Sequence, residues 1–155
     1  MRKQEYFHLR VNEVLDNGEN AISPKAGATI CYYPMNYIDH NEESKNIAFI
    51  DISVCSMDDT FSGVKARGRS LHRVMQMKKK FMLDPESVDK NKYFDLLDRE
   101  EIVEVGKKMV RKTVSRIMNR KIEKAQEEYK VKMQDLNDWK EKMLVMDVPN
   151  KKHNS

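Results

Sequence analysis

Asn46-Ile47-Ala48-Phe49-Ile50-Asp51-Ile52-Ser53-Val54 runs without a break into Cys55-Ser56-Met57-Asp58-Asp59-Thr60, then Phe61-Ser62-Gly63-Val64-Lys65-Ala66-Arg67-Gly68-Arg69-Ser70-Leu71-His72-Arg73. The first stretch is dominated by Ile and Val and is expected to be a buried or half-buried strand. The acidic turn Met57–Thr60 is expected to stop it. Ser62 or Thr60 is placed to cap a following helix, because a short hydroxyl side chain accepts from a free first-turn N–H. Within that helix Lys65, Arg69 and Arg73 recur every four residues and share a face. Arg67 lies off it, since six residues from Arg67 to Arg73 turn the helix by about 600°. A strand leading through a turn into a cationic helix makes an anion cradle, because guanidinium forks match phosphate oxygens. A solvated basic face is the alternative from spacing alone.

Upstream, Tyr6-Phe7-His8-Leu9-Arg10-Val11 alternates like a strand, and Asn17-Gly18 marks a turn after it. Ala28-Thr29-Ile30-Cys31-Tyr32-Tyr33 reads as a second strand, closed by Pro34, with a polar loop over residues 37–44. The economical arrangement is a three-stranded antiparallel meander over residues 1–56, covered by a helix on one face.

Downstream, the basic helix is expected over residues 62–82, with Val64, Leu71, Val74, Met75 and Met77 opposite its cations. Gly68 in its middle implies a kink or a close backbone approach. Asp84-Pro85 breaks the chain, and Tyr93-Phe94-Asp95-Leu96-Leu97 suggests a short helix or turn. Residues 98–146 hold no proline and only one glycine, Gly106, so one very long helix is expected. It carries a cationic ladder, Lys108, Lys112, Arg116, Arg120 and Lys124. Its second half spaces Ile122, Ala125, Tyr129, Met133, Leu136 and Met143 as a short coiled-coil-like seam. A projecting helix of that length would leave its seam in water, so homo-oligomerisation is expected. A break near Asn119 or Asn137-Asp138, giving a folded-back hairpin, is the alternative. Residues 147–155 are expected to be a disordered tail.

The fold class is therefore α+β in one domain over residues 1–155, a small antiparallel sheet followed by two C-terminal helices. The 155 residues carry a net charge of +4 with 35 % charged side chains, a mild excess for a dedicated nucleic-acid binder. Cys31 and Cys55 lack metal-ligand spacing and read as reduced thiols. No apolar stretch reaches the roughly 18 residues that span a bilayer. Residues 1–5 lack a signal-peptide core. The expectation is a soluble intracellular protein with no membrane partner.

Phosphate-loop, dinucleotide and nucleophile-elbow motifs are absent from the chain. His8, His40, His72 and His153 are scattered, so no catalytic residue, metal site or cofactor is expected. Asp58-Asp59 suits a capping role, with Asp59 placed to orient an arginine. What remains is binding chemistry. Phe61, Tyr32, Tyr33, Tyr93 and Phe94 are the aromatics nearest the cations, and Phe61 is the best placed to stack on a base. The candidate ligand-binding set is Phe61, Lys65, Arg67, Arg69, Arg73, Arg111 and Arg116. Arg69 and Arg73 are expected to hold one phosphate. Arg67 serves a second position or braces Asp59, and Arg111 or Arg116, from the same or another subunit, completes the pocket.

Cys55, Ser56, Asp59, Phe61, Ser62, Arg67, Ser70 (small, in place of Ala) and Arg73 fall on the pattern Cys-Ser-x-x-Asp-x-Phe-(Ser/Asn)-Lys-Lys-x-Gly-Arg-x-x-Ala-x-Gly-Arg. Ser23-Pro24-Lys25-Ala26-Gly27-Ala28-Thr29-Ile30 supplies a glycine-bearing approach to the preceding strand. Over residues 23–73 the chain resembles phage-encoded Thoeris anti-defence sponge proteins of the first type. Gly63-Val64 replaces the pattern's Lys pair, and Ala66 and His72 replace its glycines. The resemblance implies a sheet with two C-terminal helices and an oligomer in the cytoplasm of an infected bacterial cell. It also implies sequestration, without cleavage, of a cyclic ADP-ribose-type or cyclic oligonucleotide signal. A nucleic-acid-binding or regulatory adaptor, using the basic ladder on a duplex backbone, is the other expectation.

Overall fold

The computed structural model describes residues 3–128 and 133–149. Glu5–Leu9 (β1), Asn12–Val14 (β2), Asn20–Ile22 (β3), Lys25–Ile38 (β4) and Ser44–Thr60 (β5) precede the first helix, Gly63–Leu83 (α1). A 3-10 turn at Pro85–Ser87 leads to Tyr93–Asp95 (β6), then Arg99–Glu128 (α2) and Met133–Leu144 (α3). The protein is α+β. Its main sheet is antiparallel, in the order β1-β4-β5-β6, and β2 and β3 form a separate hairpin.

β4 and β5 explain the layering. Their side chains alternate across the sheet, and both faces are apolar, so both must be covered. Cys31, Met35, Ile47 and Phe49 point to one side and pack with Val74, Met77 and Phe81 of α1. Ala28, Ile30, Tyr32, Ala48, Ile50 and Ile52 point to the other and pack with Ile102, Val110, Val114 and Met118 of α2. The sheet is thus sandwiched between α1 and the α2–α3 pair. Gly106 lets α2 lie this close: an ideal Cβ there would sit 2.3 Å from Ile30 Cδ1.

Several expectations are corrected. β4 continues through Pro34 to Ile38, pairing as far as Ile38↔Ser44. β1 begins opposite Tyr32, so among the described residues β4 is an edge beyond that point, where a proline's missing N–H is tolerated. The expected polar loop narrows to residues 39–43, with Tyr37, Ile38 and Ser44 taken into the strands, and in its turn Asp39 Oδ1 accepts from the Asn41 and Glu43 amides. β5 runs through the acidic segment to Thr60, past the expected end of the sheet at residue 56. Tyr93–Asp95 is a strand on β5, not a helix. Ser62, not Thr60, caps α1, its hydroxyl accepting from Lys65 N. α1 buries Ala66, Ser70, Val74, Met77 and Phe81, whereas Val64 is 73 % exposed. Gly68 neither ends the helix nor lies close to anything: a Cβ there would meet nothing within 4 Å.

The very long helix over 98–146 is overturned. α2 spans 30 residues and α3 only 12, which makes three helices among the described residues. α3 runs back along α2, with Lys140 Nζ donating to Asn119 Oδ1 at 2.8 Å and Lys107 paired with Asp147 at 2.7 Å. The seam is spent inside the molecule: Met143 is 1 % exposed, and Leu136 packs on the α2-side core. Tyr129 and the Met133 side chain fall outside what is described. The projecting-seam argument for association is thereby removed. Residues 147–149 are not a loose tail either. Arg10 N donates to Asp147 O at 3.1 Å, and Val148 packs on the core. Residues 150–155 lie outside the described residues. Among those described, no helix is long and apolar enough to cross a membrane.

Candidate functional site

β6 covers β5 only at Ile47–Phe49, and the Ile50 amide donates to Lys92 O at 2.9 Å. From Asp51 onward the outer edge of β5 faces a groove of about 1190 Å³ between α1 and α2. Arg73 reaches it from α1, Lys92 and Asp89 from the segment before β6, and Lys108, Arg111, Lys112 and Arg116 from α2. Ile52, Val54, Val105, Met109 and Ile117 supply apolar lining between these charges. Six cationic side chains against two carboxylates, Asp51 and Asp89, make it strongly electropositive. A concave, partly apolar site with converging cations suits a ligand with a ring and a phosphate.

The floor of the groove holds a network that fixes one cation. Asp51 accepts from the Ile52 amide at 2.8 Å and from Lys92 Nζ at 3.4 Å. Arg73 Nη1 donates to the Ile52 carbonyl at 2.8 Å. Both outward backbone groups of Ile52 are satisfied, and the guanidinium is held in place with its other donors uncommitted to that carbonyl. A pre-oriented fork loses less rotamer entropy on meeting an anion.

The sequence candidates separate into three places. Arg73, Arg111 and Arg116 come together in the groove, all from one chain. Lys65 and Arg69 line a second, smaller pocket of about 320 Å³ with Thr60, Ser62, Asp59 and Cys55. Arg69 and Arg73 are therefore not one phosphate clamp. They share a helix face, but β5 directs them to different cavities. Phe61 and Arg67 line neither. Phe61 is half-buried against Gly27, with the Arg10 guanidinium 4.2 Å from its centroid and His8 edge-on at 5.4 Å. Arg67 faces His8 and Tyr6, not Asp59: an ideal Cβ on Gly63 would lie 3.5 Å from both Arg67 Nη1 and His8 Nε2. Asp58 pairs with Lys121 at 2.9 Å, and that hydrogen bond holds its carboxyl below the usual range.

The expected aromatic stacking surface is not there. Tyr32 is fully buried, Tyr33 sits under Lys78, Tyr93 packs against Phe49 and Phe81, and Phe94 packs on the α2-side core. Aliphatic and methionine side chains line the groove instead. The residues that sequence reasoning missed are Lys92, Asp51, Val105 and Met109. Asp51 did carry a signal, as the one carboxylate inside the apolar run 46–54.

Burial depresses the His8 pKa, helped by Arg67 and Arg10, while its Nδ1 lies 2.7 Å from Thr29 Oγ1. Burial, with the Asp51 charge, pushes the Cys31 thiol up to about 12, and burial and Asp59 raise Cys55. Neither thiol is an activated nucleophile. Among the described residues no group of three or more His, Cys, Asp or Glu could hold a metal ion. Comparison of the chain with protein-family models, curated proteins and solved structures returned no match.

Proposed function

We propose that the protein is a non-enzymatic sponge. It binds and sequesters a cyclic ADP-ribose-type or cyclic oligonucleotide immune signal, as a phage anti-defence protein in the cytoplasm of the infected bacterial cell. The convergence of Arg73, Lys92, Lys108, Arg111, Lys112 and Arg116 on one groove with apolar lining carries the reading. Such a groove supplies charge for phosphates and apolar surface for a base or ribose. In this reading the ligand is held without being cleaved and leaves as it entered. Homo-oligomerisation stays in the proposal on the resemblance over residues 23–73, not on the helical seam.

Incubating the protein with cyclic ADP-ribose isomers or cyclic di- and trinucleotides, then denaturing it by heat, tests this. Release of one of them intact, in proportion to protein, is the expected result. Release of a cleaved product, or retention of none of them, contradicts it. A nucleic-acid adaptor is the second reading, favoured by one observation: the ladder continues past the groove to Arg120 and Lys124, both exposed. A duplex-backbone binder with several phosphate contacts loses about 10³-fold or more in affinity between 50 and 200 mM salt. A groove ligand with few phosphates loses far less, so a salt titration separates the two.

A further inference from the structure

The two cavities are neighbours. Val54 lines both, and Arg69 and Arg73, one in each, are a single helical turn apart on α1. From Arg73 back to Lys65 the wall runs about 12 Å at 1.5 Å per residue, and from Val105 to Ile117 the α2 wall runs about 18 Å. α1 runs antiparallel to β5, so Arg73 lies by Ile52, and Ser62 lies beyond Thr60. The pair Lys121–Asp58 ties α2 to the same end of β5. The outer edge of β5 therefore faces two neighbouring anion stations. One is the cluster of Arg73, Arg111, Lys112 and Arg116. The other is Lys65 and Arg69, with the Ser62 and Thr60 hydroxyls beside them.

We infer that the two cavities form one trench for an elongated polyanion, a short single chain of nucleotides whose successive phosphodiesters occupy both stations. This rests on the groove being an anion site, as proposed above. Cations four residues apart on each helix repeat about every 6 Å, which suits a ligand with repeating charges. A peptide strand adding to the β5 edge fits less well. The outward N–H and C=O of Ile52 are already taken by Asp51 and Arg73, so main-chain pairing would have to displace them. A second copy of this chain is disfavoured as well, because two such cationic walls would face each other. A duplex keeps its bases inside, whereas the apolar lining at Val54, Met109 and Ile117 can meet unpaired bases.

The test uses fluorescein-labelled thymidylates of two, four, six and eight nucleotides, titrated by anisotropy at fixed salt. Lys65 and Arg69 are exposed, so the double variant K65E/R69E should keep the parent melting temperature. The expected result is affinity that climbs with length. The double variant should lose 10-fold or more for the octamer and under 2-fold for the dinucleotide, while R111E weakens every length. If K65E/R69E leaves all lengths unchanged while R111E weakens them, the groove stands alone and the trench is wrong. Equal loss at every length also overturns the trench, since it means one undivided station. If neither variant changes binding at any length, the anion site itself fails along with it.

Discussion

Gly106→Ala reports directly on how α2 is seated, and hence on where one wall of the groove stands. The added methyl would lie 2.3, 2.5 and 2.8 Å from Ile30 Cδ1, Cγ1 and Cγ2. Ile30 is fully buried, so it cannot swing aside, and α2 must lift from the sheet. Helix propensity alone would favour alanine by about 1 kcal/mol. Overpacking of this severity belongs at the top of the about 1–3 kcal/mol range, so a net loss of about 2 kcal/mol is expected. Ile30→Ala alone should cost about 3 kcal/mol as a cavity. In that background the clash is gone, and Gly106→Ala should now stabilise by about 1 kcal/mol. The double variant should then lose about 2 kcal/mol rather than the additive 5 or so, a coupling of about 3 kcal/mol between touching sites. Urea denaturation of the four proteins measures it. A coupling below about 0.5 kcal/mol, or a Gly106→Ala that stabilises the parent, would refute the close seating of α2 on Ile30.

The remaining predictions follow from burial and charge. Burial, Arg67 and Arg10 hold the His8 pKa below its ordinary 6.5, so the folded ring resists a proton that the unfolded chain accepts. Stability therefore falls as pH drops below about 6.5, until the folded ring itself titrates; this slope should vanish in His8→Gln. Arg67→Ala should raise the His8 titration midpoint followed by NMR, and an unmoved midpoint would show that Arg67 does not face the ring. With its pKa near 12 and no exposure, Cys31 should resist iodoacetamide until the protein unfolds, and rapid labelling at neutral pH in the native state would contradict its place under α1.

The strand at 46–54 and the helix at 62–82 were legible because their signals are local. Ile and Val run together in the first, and in the second a serine cap precedes apolar positions at helical spacing. The polar loop at residues 39–43 was legible too, but the extension of β4 through Pro34 to Ile38 was hidden, because a proline reads as a strand end and Asn36 and Lys45 beside it are polar and exposed. β6 was hidden because three residues carry almost no periodicity, and Tyr93 is strand only because Phe49 lies beside it. The folded-back hairpin stood as the alternative to one long helix, but Asn119 lies inside α2 and Asn137-Asp138 inside α3, and the stretch of sequence joining the two helices carries no proline or glycine to mark the break. What folds α3 back is the burial of Met143 and Met146 against the α2-side core, a tertiary gain invisible to spacing. The same limit governs the site. Spacing puts Lys65, Arg69 and Arg73 on one face, and the ladder showed that Arg116 lies among cations. Which cavity each enters depends on where the β5 edge runs. Arg73 meets Ile52 O only because α1 crosses the opposite face of the sheet from α2.

The central claim is that Arg73, Arg111 and Arg116 form one anion site. Arg111 and Arg116 are exposed on α2, so reversing both charges should leave folding intact. The most direct measurement is a thermal-shift screen of the parent and the R111E/R116E variant against cyclic ADP-ribose isomers and cyclic di- and trinucleotides. Two lost charge-assisted contacts of about 1.5–3 kcal/mol each weaken binding by about 10²-fold or more. The account predicts that at least one of these ligands raises the parent's Tm and leaves that of R111E/R116E unmoved, the two proteins melting alike without ligand. An equal shift in both proteins, or no shift with any of these ligands, would contradict it.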